Sequence, residues 1–198
     1  MKEEQLRQIM QFLGKAGKLR ETIRFDSTLS DHRESTADHS WRLSLMVALV
    51  AEELKIDLDV GRAMKIALVH DLAESVTGDI DAYRVITHEY SKEDKDRKEK
   101  EAITKILAGF SFKDNIKNLW NEYFYQETRE ARFVKALDRI EAFLTILESG
   151  HASYLLHLFY SDYADEAVRN FSELADFLKV VKEELRQELS KGNIGWVE

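Results

Sequence analysis

Ala63-Met64-Lys65-Ile66-Ala67-Leu68-Val69-His70-Asp71 is an almost wholly apolar run that closes on two titratable side chains. A helix that is apolar on nearly every side belongs in a core, so this stretch predicts a fold in which helices pack on helices. Delivering an imidazole and a carboxylate to that core is costly unless something compensates them. A divalent cation would do so. It would also bring chemistry, because a bound cation lowers the pKa of coordinated water and supplies a nucleophile near neutral pH. A histidine and a carboxylate paired for structure alone is the competing reading of so short a motif.

The rest of the chain agrees with a helical fold. Its 198 residues include no proline and only eight glycines, and apolar residues recur at the helical period. The pattern predicts helices over Glu4 to Leu19, Thr36 to Leu54, Asp59 to Glu74, Lys92 to Leu107, Lys113 to Tyr125, Glu130 to Leu147 and Ala164 to Leu189, with no convincing strand. Between them, Arg20 to Ser35 and Ser75 to Ser91 read as connections long enough to carry function, and both flank the His-Asp pair. Ser91-Lys92-Glu93-Asp94 has the Ser-x-x-acid form of a helix start. No repeat or low-complexity linker divides the chain, and the expectation is a single domain over residues 1–198.

Composition excludes several chemistries. With no cysteine, disulfides, thiolate catalysis and thiolate metal sites are ruled out, which leaves histidine and carboxylate as first ligands. A net charge of −8 argues against a nucleic-acid polymer as partner. There is no apolar segment of membrane-spanning length, and Met1-Lys2-Glu3-Glu4 lacks a signal-peptide profile, so the expectation is a cytoplasmic protein with no membrane partner.

Periodicity brings more candidates towards the core. His39, Leu43, Met46 and Val50 follow one helical stripe, which turns His39 inward, either as a ligand or as a core histidine bonded to a carbonyl. If the helix continues past Asp71, Glu74 lies four residues from His70 and three from Asp71, on the same face. Asp138 sits beside the apolar stripe of Phe133-Val134-Lys135-Ala136-Leu137, where an ion pair with Lys135 or Arg139 is the plain alternative. Together His39, His70, Asp71 and Asp138 offer two imidazoles and two carboxylates from three helices, as metal sites in helical bundles do. Such a mixed set suits manganese, cobalt, magnesium, iron or zinc.

The order Asp38-His39-Ser40, then Val69-His70-Asp71-Leu72-Ala73-Glu74, then Ala136-Leu137-Asp138 resembles the HD-domain metal-dependent phosphohydrolase superfamily. Thr77-Gly78-Asp79-Ile80, Ser91-Lys92-Glu93-Asp94-Lys95, Leu119-Trp120 before Glu122-Tyr123, and Phe133-Val134-Lys135 are similar to its 5′-deoxynucleotidase branch. The likeness covers Phe12 to Leu147, with a helical extension from about Gly150 onward. It implies an all-α HD-domain bundle with one divalent metal ion in its core, held by His39, His70, Asp71 and Asp138. It also implies hydrolysis of deoxyribonucleoside 5′-monophosphates to nucleoside and phosphate, with broad base tolerance, in a homodimer.

Carried over by position, Glu74 matches a catalytic carboxylate, Asp79 a substrate-contacting one and Arg24 the arginine that orients the phosphate; all three are expected to be catalytic, with Glu74 or Asp79 managing protons. Asp79, Ile80, Asp81 and Ala82 would lie along the nucleotide. A guanidinium fork suits that task because it binds two phosphate oxygens at once. Phe25 departs from the branch, which carries a tryptophan near the sugar, and so bears on deoxyribose selectivity. The loop Ile80-Asp81-Ala82-Tyr83-Arg84 lacks the prolines common there. Lys92, Lys95, Arg97 and Lys98 read as a solvated helix face, and His32, His88, His151 and His157 as loop or packing residues. Two other readings stay open: an HD hydrolase of another nucleotide or phosphate ester, and a non-catalytic nucleotide- or metal-binding sensor module.

Overall fold

Ten α-helices carry the chain in the computed structural model, which describes residues 2–26, 33–149, 162–193 and 196. They are α1 (Lys2–Ala16), α2 (Thr36–Glu53), α3 (Val60–Val69), α4 (Glu74–Thr77), α5 (Ala82–Ile86), α6 (Lys92–Leu107), α7 (Lys113–Tyr125), α8 (Arg129–Glu148), α9 (Asp165–Arg169) and α10 (Ala175–Lys191). Among the described residues the only strand-like pairing is one isolated antiparallel bridge between Ile23 and Ser35. None of the described helices is long and apolar enough to cross a membrane.

The central element is α8. Phe133, Val134, Ala136, Leu137, Ile140, Phe143 and Ile146 bury nearly its whole circumference, as expected of a helix surrounded by others. Helices α2, α3, α7, α9 and α10 all pack on it. Thr128 starts α8 by accepting a hydrogen bond from the Ala131 N–H. On one side α10 lays Leu178, Val181, Leu185 and Leu189, a stripe of helical spacing, into the main core. A smaller core under α1 gathers Leu19, Leu72, Ile103, Ile106, Leu107 and Trp120.

Three boundaries differ from the sequence reading. The helix expected to run from Asp59 to Glu74 stops at Val69 and resumes as α4. The cause is local: the His70 Nδ1–H donates to the Ala67 carbonyl at 2.7 Å, the acceptor that the Asp71 N–H would use in a regular helix. The chain then tightens, with Leu72 N–H bonded to Val69 O and Glu74 N–H to Asp71 O. The connection Ser75 to Ser91 contains α5, started by Asp81, whose side chain accepts from the Tyr83 N–H at 2.9 Å. The C-terminal helix is divided into α9, a short 3-10 turn over Ser172–Leu174 and α10. Phe171 leaves helical geometry there (φ −146°) and packs its ring on Phe133. His32, His151 and His157 lie outside the described residues, as does most of the stretch directly after Gly150, while His88 is exposed on a turn.

Candidate metal centre

His39 is fixed from the N-terminus of α2. Ser35 and Asp38 form a reciprocal capping box, and the bridge between Ile23 and Ser35 ties the preceding loop to this point through Arg24 N–H to Glu34 O and Thr36 N–H to Thr22 O. One residue past the capping aspartate, His39 points into the bundle and is fully buried. His70 and Asp71 come from the tightened turn after α3, and Asp138 from the middle of α8.

The four side chains converge. His39 Nε2 lies 3.2 Å from His70 Nε2, 3.3 Å from Asp138 Oδ1 and 3.7 Å from Asp71 Oδ2. His70 Nε2 lies 2.8 Å from Asp71 Oδ2 and 3.9 Å from Asp138 Oδ1. The outer nitrogens have other work: His39 Nδ1 faces Glu141 Oε2 at 2.6 Å, and His70 Nδ1 faces the Ala67 carbonyl. Both of those oxygens only accept hydrogen bonds. Each neutral ring therefore donates outward and turns its Nε2 lone pair into the cluster. Two inward lone pairs beside two carboxylates need positive charge between them.

A proton on His39 is one way to supply it. Burial and the Arg24 charge oppose that proton, but Glu141 and Asp138 outweigh them and raise His39 to about 9. Burial likewise pushes Asp71 up, yet His70 and His39 hold it below the usual carboxylate range. For Asp138, burial is overcome by Lys135 and by the His39 hydrogen bond. A divalent cation would replace the proton with two charges, within reach of donor atoms of His39, His70 and Asp138 and with Asp71 Oδ2 beside them. The buried His/Asp cluster can coordinate such an ion, and its nitrogen and oxygen donors leave the metal's identity open.

Around this cluster stand the other residues singled out by sequence. Arg24 is buried, with its Nη1 paired to Glu34 at 2.7 Å and Glu141 at 3.2 Å, and it feels the field of Asp71 and Asp79. Phe25 lies beneath it, ring centroid 5.0 Å from the guanidinium carbon, in the left-handed backbone region (φ 54°) and packed into the main core. Glu74 is buried and accepts from the Thr36 hydroxyl at 2.9 Å. Burial, then Asp71 and Asp79, push its carboxyl well above the ordinary value. Asp79 is raised too, by burial against the pull of Lys95 and Arg24. Ile80 and Asp81 are buried and Ala82 packs against the core.

Sequence reasoning missed several participants. Lys95, assigned to a solvated face, instead turns inward and donates to the Ile80 carbonyl at 3.1 Å, within the fields of Glu74, Asp79 and Asp71. That face of α6 lies over α4, which shields this one lysine. Tyr123 donates to Asp138 Oδ2 at 2.6 Å, while Lys135, expected from sequence as an ion-pair partner of Asp138, does pair with that oxygen at 3.4 Å and also donates to the Tyr123 oxygen at 2.8 Å. Glu141 had no sequence signal beyond being a charge inside the apolar run of α8.

An all-α bundle with a buried imidazole and carboxylate cluster drawn from α2, the turn after α3 and α8 defines a class of metal-dependent enzymes, and the relatives of this chain narrow it. The HD domain family matches residues 16–179, a span that contains every residue of the cluster and its surroundings. The 5′-deoxynucleotidase HDDC2 of Danio rerio is 33% identical over 192 residues, covering 93% of this chain and 91% of its own length. The protein of the same name from Xenopus laevis is 42% identical over 118 residues, 58% of this chain and 55% of its own length. A crystal structure described as a predicted metal-dependent phosphohydrolase from Magnetospirillum magnetotacticum superposes with a TM-score of 0.76 at 25% identity, covering 98% of both chains. The chain belongs to the HD-domain metal-dependent phosphohydrolases, in the branch of the HDDC2-like 5′-deoxynucleotidases.

Proposed function

We propose that this chain is a phosphomonoesterase that hydrolyses nucleoside 5′-monophosphates, deoxyribonucleotides foremost and with broad base tolerance, to nucleoside and phosphate. The observation that carries the reading is the meeting of a cation-binding cluster with a buried guanidinium, Arg24, and two raised carboxyls, Glu74 and Asp79. In this reading His39, His70, Asp71 and Asp138 hold the ion, which when bound supplies Lewis acidity to the phosphate and a lowered pKa to water. Arg24 orients the phosphate and offsets charge that builds on its oxygens. Glu74, anchored through Oε2 by Thr36, moves a proton at the attacking water or at the departing 5′ oxygen. Asp79 to Ala82 border the nucleoside, with Lys95 holding the Ile80 carbonyl behind them. Phe25 offers less bulk at the sugar than a tryptophan would, so ribonucleotides are expected to be turned over as well. The reading takes residues 1–198 as one domain acting as a cytoplasmic homodimer.

The test is a panel of deoxyribo- and ribonucleoside monophosphates offered to protein loaded with manganese or cobalt. Phosphate release from several deoxynucleotides is expected, with slower release from the ribose forms. No release from any monophosphate with any of these metals would overturn the reading.

A further inference from the structure

We infer that Glu141 is a positioning residue that couples the cation cluster to the phosphate arm. Its His39 half rests on the cluster alone, and its Arg24 half rests on the proposed function.

Glu141 is the most deeply enclosed carboxylate of the site, on the face of α8 that also carries Leu137, Asp138 and Thr145. Placing a charge there is costly, and an apolar residue of similar volume would serve packing as well or better. The two oxygens divide the work. Oε1 is held: Arg42 Nε donates to it at 2.7 Å and the Thr145 hydroxyl at 3.2 Å. Arg42 is itself braced by Glu148 and Thr145. Oε2 holds: it accepts from His39 Nδ1 at 2.6 Å and from Arg24 Nη1 at 3.2 Å.

One anchored atom therefore sets two things. It fixes the His39 ring in the tautomer and rotation that turn Nε2 into the cluster, and it places the Arg24 guanidinium at a set distance from that same ring. Glu34 Oε2 accepts from the same Arg24 Nη1 at 2.7 Å and completes its placement. The Lewis-acid site and the phosphate arm thus share a support, and neither can shift without the other.

The test uses the full chain and begins with manganese titrated calorimetrically, which needs no turnover. Glu141→Gln is expected to weaken manganese binding about 10- to 100-fold, the usual effect of losing a carboxylate behind a ligating histidine. The same variant is expected to change the visible spectrum of the cobalt-loaded protein and to leave its far-ultraviolet circular dichroism unaltered. Thr145→Val removes one donor to Glu141 Oε1 and contacts to Arg42 and Glu34, but leaves Oε2 on His39, and is expected to weaken manganese far less. If Glu141→Gln does not fold, Glu141→Asp keeps the charge but withdraws Oε2 from His39, and the same loss is expected. Manganese binding at wild-type strength in the folded variant, or an equal loss in Thr145→Val, overturns the inference. For the coupling, inorganic phosphate is titrated into manganese-saturated Arg24→Lys, Glu141→Gln and the double variant. Non-additive losses support the shared support and additive losses overturn it. Intact coupling in a protein that hydrolyses no monophosphate would sink the proposed reaction while leaving the role of Glu141 standing.

Discussion

The two sides of the cluster treat carboxylates in opposite ways. On the side of α8 and α2, Asp138 and Glu141 are held below the usual range by Lys135, His39, Arg24 and Arg42, and Asp71 is held down by the two histidines. On the side of α4 and the segment that follows it, Glu74 and Asp79 are raised, because burial and like charge outweigh what Lys95 and Thr36 return. Burial is common to both sides and opposes charge in each case, so the count of donors and cations decides the sign. One side is built to stay ionised. The other is shifted towards the protonated form, and in the proposed reaction such a split among neighbouring acids would divide binding from proton transfer.

That contrast can be broken from either side. The largest effect is expected from Asp138→Ala, which removes a cluster oxygen and strands Tyr123 and Lys135; metal content by atomic emission and phosphate release should both fall to background. Glu74→Gln should keep metal content but lower kcat by about 10²- to 10⁴-fold, the range for loss of a positioned acid or base. The same variant sharpens the electrostatic argument in chelated protein. Because folding favours protonated Glu74, this carboxyl holds its proton more firmly folded than unfolded above pH 4.5, and its contribution to stability falls as pH rises through that window. Glu74→Gln should flatten that fall in thermal melts, and an unchanged slope would refute the raised carboxyl. Tyr123→Phe is expected to be the mildest: it removes one donor to Asp138 Oδ2 and should weaken manganese by about 10-fold while leaving the pH dependence in place.

His39, His70 and Asp138 were readable because each breaks an apolar pattern at a core position. His39 lies on the stripe of Leu43 and Met46, and His70 ends a run with no other polar residue but Lys65. Glu141 breaks the pattern just as sharply, three residues after Asp138, but a lone acid on a long helix also reads as solvent-facing. Only the packing of α2 against α8 reveals that Arg42 and Arg24 meet it there. Lys95 was hidden for the opposite reason, being one charge among many on α6. The break after Val69 depends on a ring nitrogen capturing a backbone carbonyl, an event with no periodic signature, and α5 is too short to show one.

The helix that stops at Val69 also has a mechanical meaning. His39 and His70 are 31 residues apart in the chain, and His39 and Asp138 are 99 apart (138 − 39), so an ion at their junction would close long loops as a clip would. Since the unfolded chain holds no such junction, a cation at 100 times its dissociation constant adds about 2.7 kcal/mol to the folded state. Loss of such an ion would therefore cost the folded state stability as well as chemistry.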